Sequence, residues 1–494
     1  MPLPGAVAPL RSGRQRLLSL SALSQDHPPG LLSVRQRPRL ASPTALRSCA
    51  AILIVRLLAA PFPSFPSPAS STSSVSRCVR CRYDLTKYLA RHPGGDVLLE
   101  FAGRDATAQF VAYHSDSVLK HWKPVGTYKW DRQAPGGDVF EGAWLSLSEK
   151  FERDGLYKTS TTWIVSRFSL VALFLAMAIG GSRLYAYGEL SPVVAHLCFV
   201  AGFIGLAGVW QQSGFLMHDF MHSHVFHNRA IDHPLGWFFG CCGFGVSSKW
   251  WRDEHHEHHL FTNTIIPGVG HTDPQFEPPE FWVQSTKILD VHKLPAWALR
   301  HILKVQHLLF VPIAVALGPL GIKIDALVGE SRLSEYAGVL LHFLFVGWVL
   351  SAFSTWRETA AFYGSASVCV GVLSLQLLIS HMPKPISHKE DSKAEGNWAR
   401  RQVGAVIDVL APSWLEWFHG GLDLHSVHHL FPRMCREHYR VAHPQLVALC
   451  REHGVELELM SWTECIGHTI GNLRRVGHEA VASGFGLPDR QKHD

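Results

Sequence analysis

His218-Asp219-Phe220-Met221-His222, His255-His256-Glu257-His258-His259 and His425-Ser426-Val427-His428-His429 are three histidine clusters, each set just beyond an apolar stretch. On a helix, residues at i, i+3 and i+4 share one face. HxxxH and HxxHH spacings therefore aim two and three imidazoles in one direction. Neutral imidazole is a good ligand for zinc, iron and copper. The eight box histidines, His218, His222, His255, His258, His259, His425, His428 and His429, are too many for one four-coordinate zinc. Two metal ions, each with four or five nitrogens and an open position, fit the count. Soluble di-iron proteins use Glu and Glu-x-x-His on bundle helices. That pattern is missing here, and an all-nitrogen pair of irons is the alternative way to activate dioxygen.

The apolar runs around the boxes set the architecture. Trp163 to Gly181 and Val193 to Phe215 are each near the roughly 20 residues a membrane span needs. Tyr336 to Trp356 and Ala360 to Met382 are two more, parted by the polar Arg357-Glu358-Thr359. Pro234 to Val246 is short, and His307 to Ile322 is broken by Pro312, Gly318, Pro319 and Gly321, so both are expected at the interface. Two spans then precede boxes one and two, and two more precede box three. An even number returns the chain to its starting side, so all three boxes face one compartment. The polar, amphipathic region after Arg433 is expected to fold over that face.

Further histidines and acids lie near the boxes. His381 ends the fourth run, and two readings stand for it: a ninth metal ligand, or an interfacial histidine with no metal role. His224, His227, His256 and His271 are expected to surround the ligands or lie at the surface. Of the neighbouring acids Asp219, Asp253 and Asp423, Asp219 and Asp423 are expected to accept the free ring N–H of a ligand and fix its tautomer.

Composition agrees. The chain has 494 residues, 47% hydrophobic, with 16 Trp suited to interfacial belts and 31 His. The net charge of +6 has no basic stripe interleaved with aromatics, so it points to a membrane surface and not to nucleic acid. Cys78-x-x-Cys81 has no second CxxC, which leaves reduced thiols as its reading. Residues 1–80 are rich in Pro, Ser and Arg, with Asp26 the single acid. Two readings stand for this leader: an organelle transit peptide, or upstream sequence translated from a faulty gene model. Residues 81–130 read as a small soluble module, 131–160 as a linker, 161–440 as the membrane domain and 441–494 as an extension beside the boxes.

The three boxes, with Trp250-Trp251-Arg252-Asp253 and His428-His429-Leu430-Phe431-Pro432 around them, resemble the membrane fatty acid desaturases over about residues 140 to 450. The upstream module is similar to cytochrome b5 through His92-Pro93-Gly94-Gly95, Leu99 to Thr107 and His114-Ser115. The resemblance implies that His92 and His114 are axial ligands of a b-type haem, a pair that leaves no position for oxygen and suits electron transfer. It implies a mainly α fold of four transmembrane helices carrying a cytosolic di-iron cap, after a small α+β cytochrome b5-like domain. It also implies two non-haem irons, O2 as oxidant, and electrons from NADH-cytochrome b5 reductase. The layout is that of the front-end desaturases, which act between an existing double bond and the carboxyl end of a fatty acyl lipid or acyl-CoA. Sphingoid-base Δ8 desaturases share the layout and remain the alternative; a non-catalytic membrane haem or lipid-binding protein is the alternative of another class. The family location is the endoplasmic reticulum membrane with boxes cytosolic, or a plastid membrane if the leader is a true transit peptide. Two features depart from the pattern. His425 stands where front-end members usually carry Gln. Ser76 to Arg82, where the cytochrome has a strand and turn, is not expected to form a strand because its residues do not alternate.

Overall fold

The computed structural model describes residues 54–58, 79–102, 105–115, 118–119, 122–129, 139–265, 273–274, 282–291, 294–329, 331–388 and 398–487. His271, most of the leader and the Pro- and Gly-containing stretch near 133–138 lie outside them.

The first module has three antiparallel strands, β1 (Ile54–Leu58), β2 (Val79–Asp84) and β3 (Gly126–Lys129), in the order β1-β2-β3. The expectation of no strand before Tyr83 is corrected. Read from Val79, the segment alternates Val79, Cys81, Tyr83 with Arg80, Arg82, Asp84, the period of a half-buried strand. Cys81 and Tyr83 are buried with Ala106 in a small core. β1 lies inside the stretch read as leader and pairs with β2 from Ile54 opposite Asp84 to Leu58 opposite Arg80. Helix α1 (Thr107–Tyr113) is the helix that leads into His114.

Residues read as linker form α2 (Val139–Arg153). Its Phe140, Trp144 and Phe151 are fully buried among Trp398, Phe431 and Leu446. The segment is thus a structural helix of the domain that follows.

Among the described residues, five helices are long and apolar enough to cross a membrane, where four were expected: α3 (Thr161–Ala186), α4 (Pro192–Met221), α7 (Ala296–Ala316), α9 (Leu333–Leu350) and α10 (Trp356–Ile379). Between α4 and α7 lie α5 (Arg229–Trp237), a π-helical turn Phe238–Phe244, and α6 (Ser248–Phe261); α8 (Gly318–Val328) follows α7. The fifth helix arises because α7 begins at the Pro295 cap and continues through Pro312 to Ala316 despite the lost hydrogen bond and the crowding of the proline ring. Box ligands on both sides of this stretch meet at one place, as described below. An even number of crossings between boxes two and three excludes a crossing by all three of α7, α9 and α10, of which α7 is the first. It lies between α10 and the amphipathic α15 (Trp462–Ala482). A Cβ at Gly371 of α10 or Gly477 of α15 would collide with the α7 carbonyls of Val315 and Leu303.

The first two spans pack closely. A Cβ at Gly205 of α4 would fall 2.4 Å from the backbone nitrogen of Ala178 in α3. With 30 residues, α4 is about 45 Å long, more than the roughly 30 Å hydrocarbon core. Its last turns therefore project from the bilayer and carry His218. The cap is completed by α11 (Trp398–Ala405), α12 (Glu416–His419), α13 (His425–Leu430) and α14 (Tyr439–Glu452). Two short parallel ladders, Thr264–Ile265 with Ser387–His388 and Asp408–Val409 with Leu459–Met460, tie its loops together.

Candidate metal centre

Four elements deliver the histidines. The end of α4 supplies His218 and His222, and α6 supplies His255, His258 and His259. His381 follows α10, and α13 supplies His425, His428 and His429. The α6 helix starts cleanly because the Ser247 hydroxyl accepts from the Trp250 N–H. The α13 helix is pinned by the buried Asp408, which accepts from the Ser426 N–H and hydroxyl at 2.8 and 2.6 Å.

The structure brings these side chains into two groups. His218, His222, His255 and His428 form one; His258, His381 and His429 form the other. Within each, one nitrogen from every residue lies within 4.8 Å of the rest. His259 bridges them, its ring 4.5 Å from that of His255 and 4.2 Å from that of His429. His425 joins the second group, its Nε2 2.9 Å from that of His381. His381 thus sits buried among the box histidines.

The nitrogen spacing fits metal ions. His218 and His428 bring their Nε2 atoms to 3.0 Å, as do His255 and His259. Two nitrogens about 2.1 Å from one metal and at right angles are about 3.0 Å apart. Lone pairs so close repel unless a proton or a metal cation lies between them. The Nε2 atoms of His222 and His429 are buried without a hydrogen-bond partner. Burial and neighbouring imidazoles hold His222, His255, His259, His381, His425, His428 and His429 well below the usual histidine range. They are therefore neutral, the form that ligates.

Five of the histidines, His218, His258, His381, His428 and His429, have their outward Nδ1 anchored, and a carboxylate or carbonyl partner fixes the tautomer. His258 Nδ1 donates to the Asp273 carboxylate at 3.0 Å, and His429 Nδ1 to Gln402 Oε1 at 2.9 Å. His381 Nδ1 donates to the Ala405 carbonyl at 3.0 Å, and His428 Nδ1 lies 3.1 Å from the Tyr439 hydroxyl. Asp219 accepts from His218 Nδ1 at 3.3 Å. Its other oxygen takes the Arg436 Nε at 2.9 Å in a pair where both side chains are 1% exposed. Asp423 does not play the expected part. It sits in the tight turn Leu422–Leu424 and accepts from Arg440 at 2.6 Å instead. Asp253 pairs with Lys249 and Arg252. His224 is buried, donating to the Pro432 carbonyl at 3.1 Å, and His227 Nε2 donates to the Tyr157 carbonyl. Asp273, Gln402, Tyr439 and Arg436 were not expected. None has a fixed spacing from a box, so only the fold brings them there.

Arg436→Ala is expected to destabilise the folded chain by roughly 3–5 kcal/mol, because it strands the Asp219 carboxylate in a dry site. Arg436→Ala combined with Asp219→Asn should recover part of that loss, as read by thermal unfolding of each variant in detergent.

In the first module His92 and His114 face each other with ring centroids 6.1 Å apart. An iron between two imidazoles, about 2 Å from each nitrogen and about 1 Å more from each ring centre, requires that spacing. His92 leaves the first short turn extended, and Gly95 takes a left-handed conformation (φ +64°) just after it, so His92 sits on a sharp corner. Burial pushes His114 down to about 4 and lowers His92, which keeps both neutral for ligation.

A helical membrane scaffold that gathers nine histidines at one end, joined to a module with facing imidazoles, defines a class of metal-dependent membrane oxidoreductase. The chain belongs to the fatty acid desaturase family, whose pattern it matches over residues 190–458, and residues 82–134 match the cytochrome b5-like heme/steroid binding domain. It is therefore a membrane enzyme, an oxidoreductase acting on fatty acyl lipids. It is 28% identical to the acyl-lipid (9-3)-desaturase of Borago officinalis over 81% of this chain and 89% of that protein. It is 26% identical to delta(8)-fatty-acid desaturase 1 of Arabidopsis thaliana over 81% and 88%. A delta 8-(E)-sphingolipid desaturase of Komagataella phaffii is 24% identical over 56% and 54%.

Proposed function

We propose that this chain is a front-end desaturase, placing a double bond between an existing one and the carboxyl end of an acyl chain. Its cofactors are two non-haem irons and one b-type haem, and its electrons come from NADH through a cytochrome b5 reductase. The single observation that carries this reading is the convergence of His218, His222, His255, His258, His259, His381, His425, His428 and His429 into two adjoining nitrogen clusters. When bound, a pair of irons supplies the reduction of O2 to an oxidant that removes hydrogens from two adjacent methylenes. The chain's own residues do the rest. The anchors Asp273, Gln402, Tyr439 and the Ala405 carbonyl hold the imidazoles in one tautomer and one direction. Burial of α13 and the inner face of α6 keeps bulk water from the nitrogens. We place the enzyme in the endoplasmic reticulum membrane with the cap in the cytosol; a functional transit peptide in the leader would direct it to a plastid.

The sphingoid-base reading is supported by the sphingolipid desaturase among the relatives. Lipid profiling of a host that makes no polyunsaturated acids separates the two. A new double bond in a fed polyunsaturated acid supports the acyl reading, and one in the host's long-chain bases supports the other. No product from either class, with iron and haem bound and cytochrome b5 supplied, would refuse both.

His425→Gln is expected to keep measurable activity. His425 is paired with His381 at the rim of the second group, and Gln can offer a carbonyl oxygen from a similar distance. Total loss, with the protein still in the membrane, would make the imidazole obligatory.

A further inference from the structure

We propose that Tyr113 and His256 form the route by which electrons leave the haem module for the metal centre, and that Arg433 clamps the module where that route is closed. This rests on the reading of the chain as a haem-fed desaturase.

The module is seated in the cap, not tethered beside it. Ala108 and Ala112 of α1 lie in the same core as Val427 and Leu430 of α13, and α1 packs against α2 and α11, the latter of which packs against α13, so the helix leading to one haem ligand is joined through that core to the helix bearing three metal ligands. Arg433, four residues after His429, donates through Nη1 to the carbonyl of His114 at 2.7 Å and to that of Val111 at 3.4 Å. Its guanidinium also lies 5.2 Å from the centre of the Tyr157 ring. The residue that follows box three therefore grips the backbone of the haem ligand itself.

Across this contact Tyr113 meets His256 edge to face, with centroids 5.8 Å apart. His256 adjoins His255 in the chain, and its ring lies 5.3 Å from that of His222. From His114 the path is one peptide neighbour and two ring contacts, ending on a histidine of the first metal group. The Tyr113 hydroxyl is buried without a hydrogen-bond partner. The side chain is thus not held there by a polar bond; what it contributes is its ring. His256 serves no ligand position and hydrogen-bonds to none of the metal-group histidines, yet it stands between the two centres. Each transfer oxidises the haem by one electron and reduces the metal pair by one. Two transfers, two protons from water and two hydrogens from the acyl chain convert one O2 to two waters.

The test uses the full chain in membranes. Haem is reduced by NADH and reductase without oxygen, then mixed with O2 and substrate, and its reoxidation is followed by absorbance. Tyr113→Ala and His256→Ala are expected to lose the fast phase, with haem content, iron content and reduction by NADH unchanged. Tyr113→Phe should keep it, because the ring remains. In protein stripped of iron, Arg433→Ala should raise hydrogen exchange in α1. Fast reoxidation retained in both alanine variants overturns the route, and unchanged exchange in Arg433→Ala overturns the clamp. A wild-type chain with haem and iron bound but no fast phase overturns the haem-fed reading on which both rest.

Discussion

His428→Ala is expected to abolish product formation while the protein stays folded in the membrane. The ring belongs to the four-histidine group, and its Nε2 lies 3.0 Å from that of His218 and 3.4 Å from that of His255. Removing it opens one corner of the group and leaves the Tyr439 hydroxyl without its imidazole. The loss should be metal-centred. α13 keeps its packing through Val427 and Leu430 and its anchor through Ser426 to Asp408. His258→Ala should behave alike from the second group, because it removes a nitrogen that lies with those of His381 and His429, together with the imidazole bonded to the buried Asp273. Changes around ligating histidines cost about 10–100-fold in metal affinity even when the ligand itself is kept. Losing a ligand should cost more, so iron per chain ought to fall together with product. Full activity in either variant would sink the metal assignment.

His92→Ala should stop electron delivery and leave the metal centre loaded. His92 sits on a turn outside the cap, on the far side of the gap from His114. Its removal deletes one of the two facing imidazoles proposed to hold the haem and touches no metal-group residue. The absorbance of a six-coordinate haem should be lost, iron at the boxes should remain, and product should vanish unless soluble cytochrome b5 is added. If product forms unchanged without that addition, an external cytochrome serves the enzyme and the fused module is idle.

Much of this site is legible in the sequence because helical spacing is local. HxxxH and HxxHH state which imidazoles share a face before any fold is known, and the runs after Trp163, Val193 and Ala360 state how their helices approach. The parity of spans then places the three boxes together. What was illegible depends on the path of loops. Asp273 reaches His258 across 15 positions, and Gln402 reaches His429 across 27. Asp423, two residues from His425, looks better placed than either, yet the turn sends it to Arg440. The strand Val79–Asp84 was hidden for another reason. Ser76 to Arg82 straddles the boundary set at residue 80 and does not alternate as a whole; the alternation shows only when it is counted from Val79 to Asp84. The fifth apolar helix was hidden by Pro312, because a proline marks a break in sequence, whereas α7, packed between α10 and α15, continues through it.

The shared core of α1 and α13 bears on how such fusions can be re-engineered. A domain joined by a free linker can be exchanged like a cartridge, since its partner never feels the change. Here, excising the haem module would open the core that Ala108 and Ala112 share with α2 and α11, and would remove the carbonyls that Arg433 grips. A desaturase trimmed to its membrane half should therefore be sticky and short-lived. A graft of a foreign cytochrome should work only if its ligand-bearing helix presents equally small side chains to that surface.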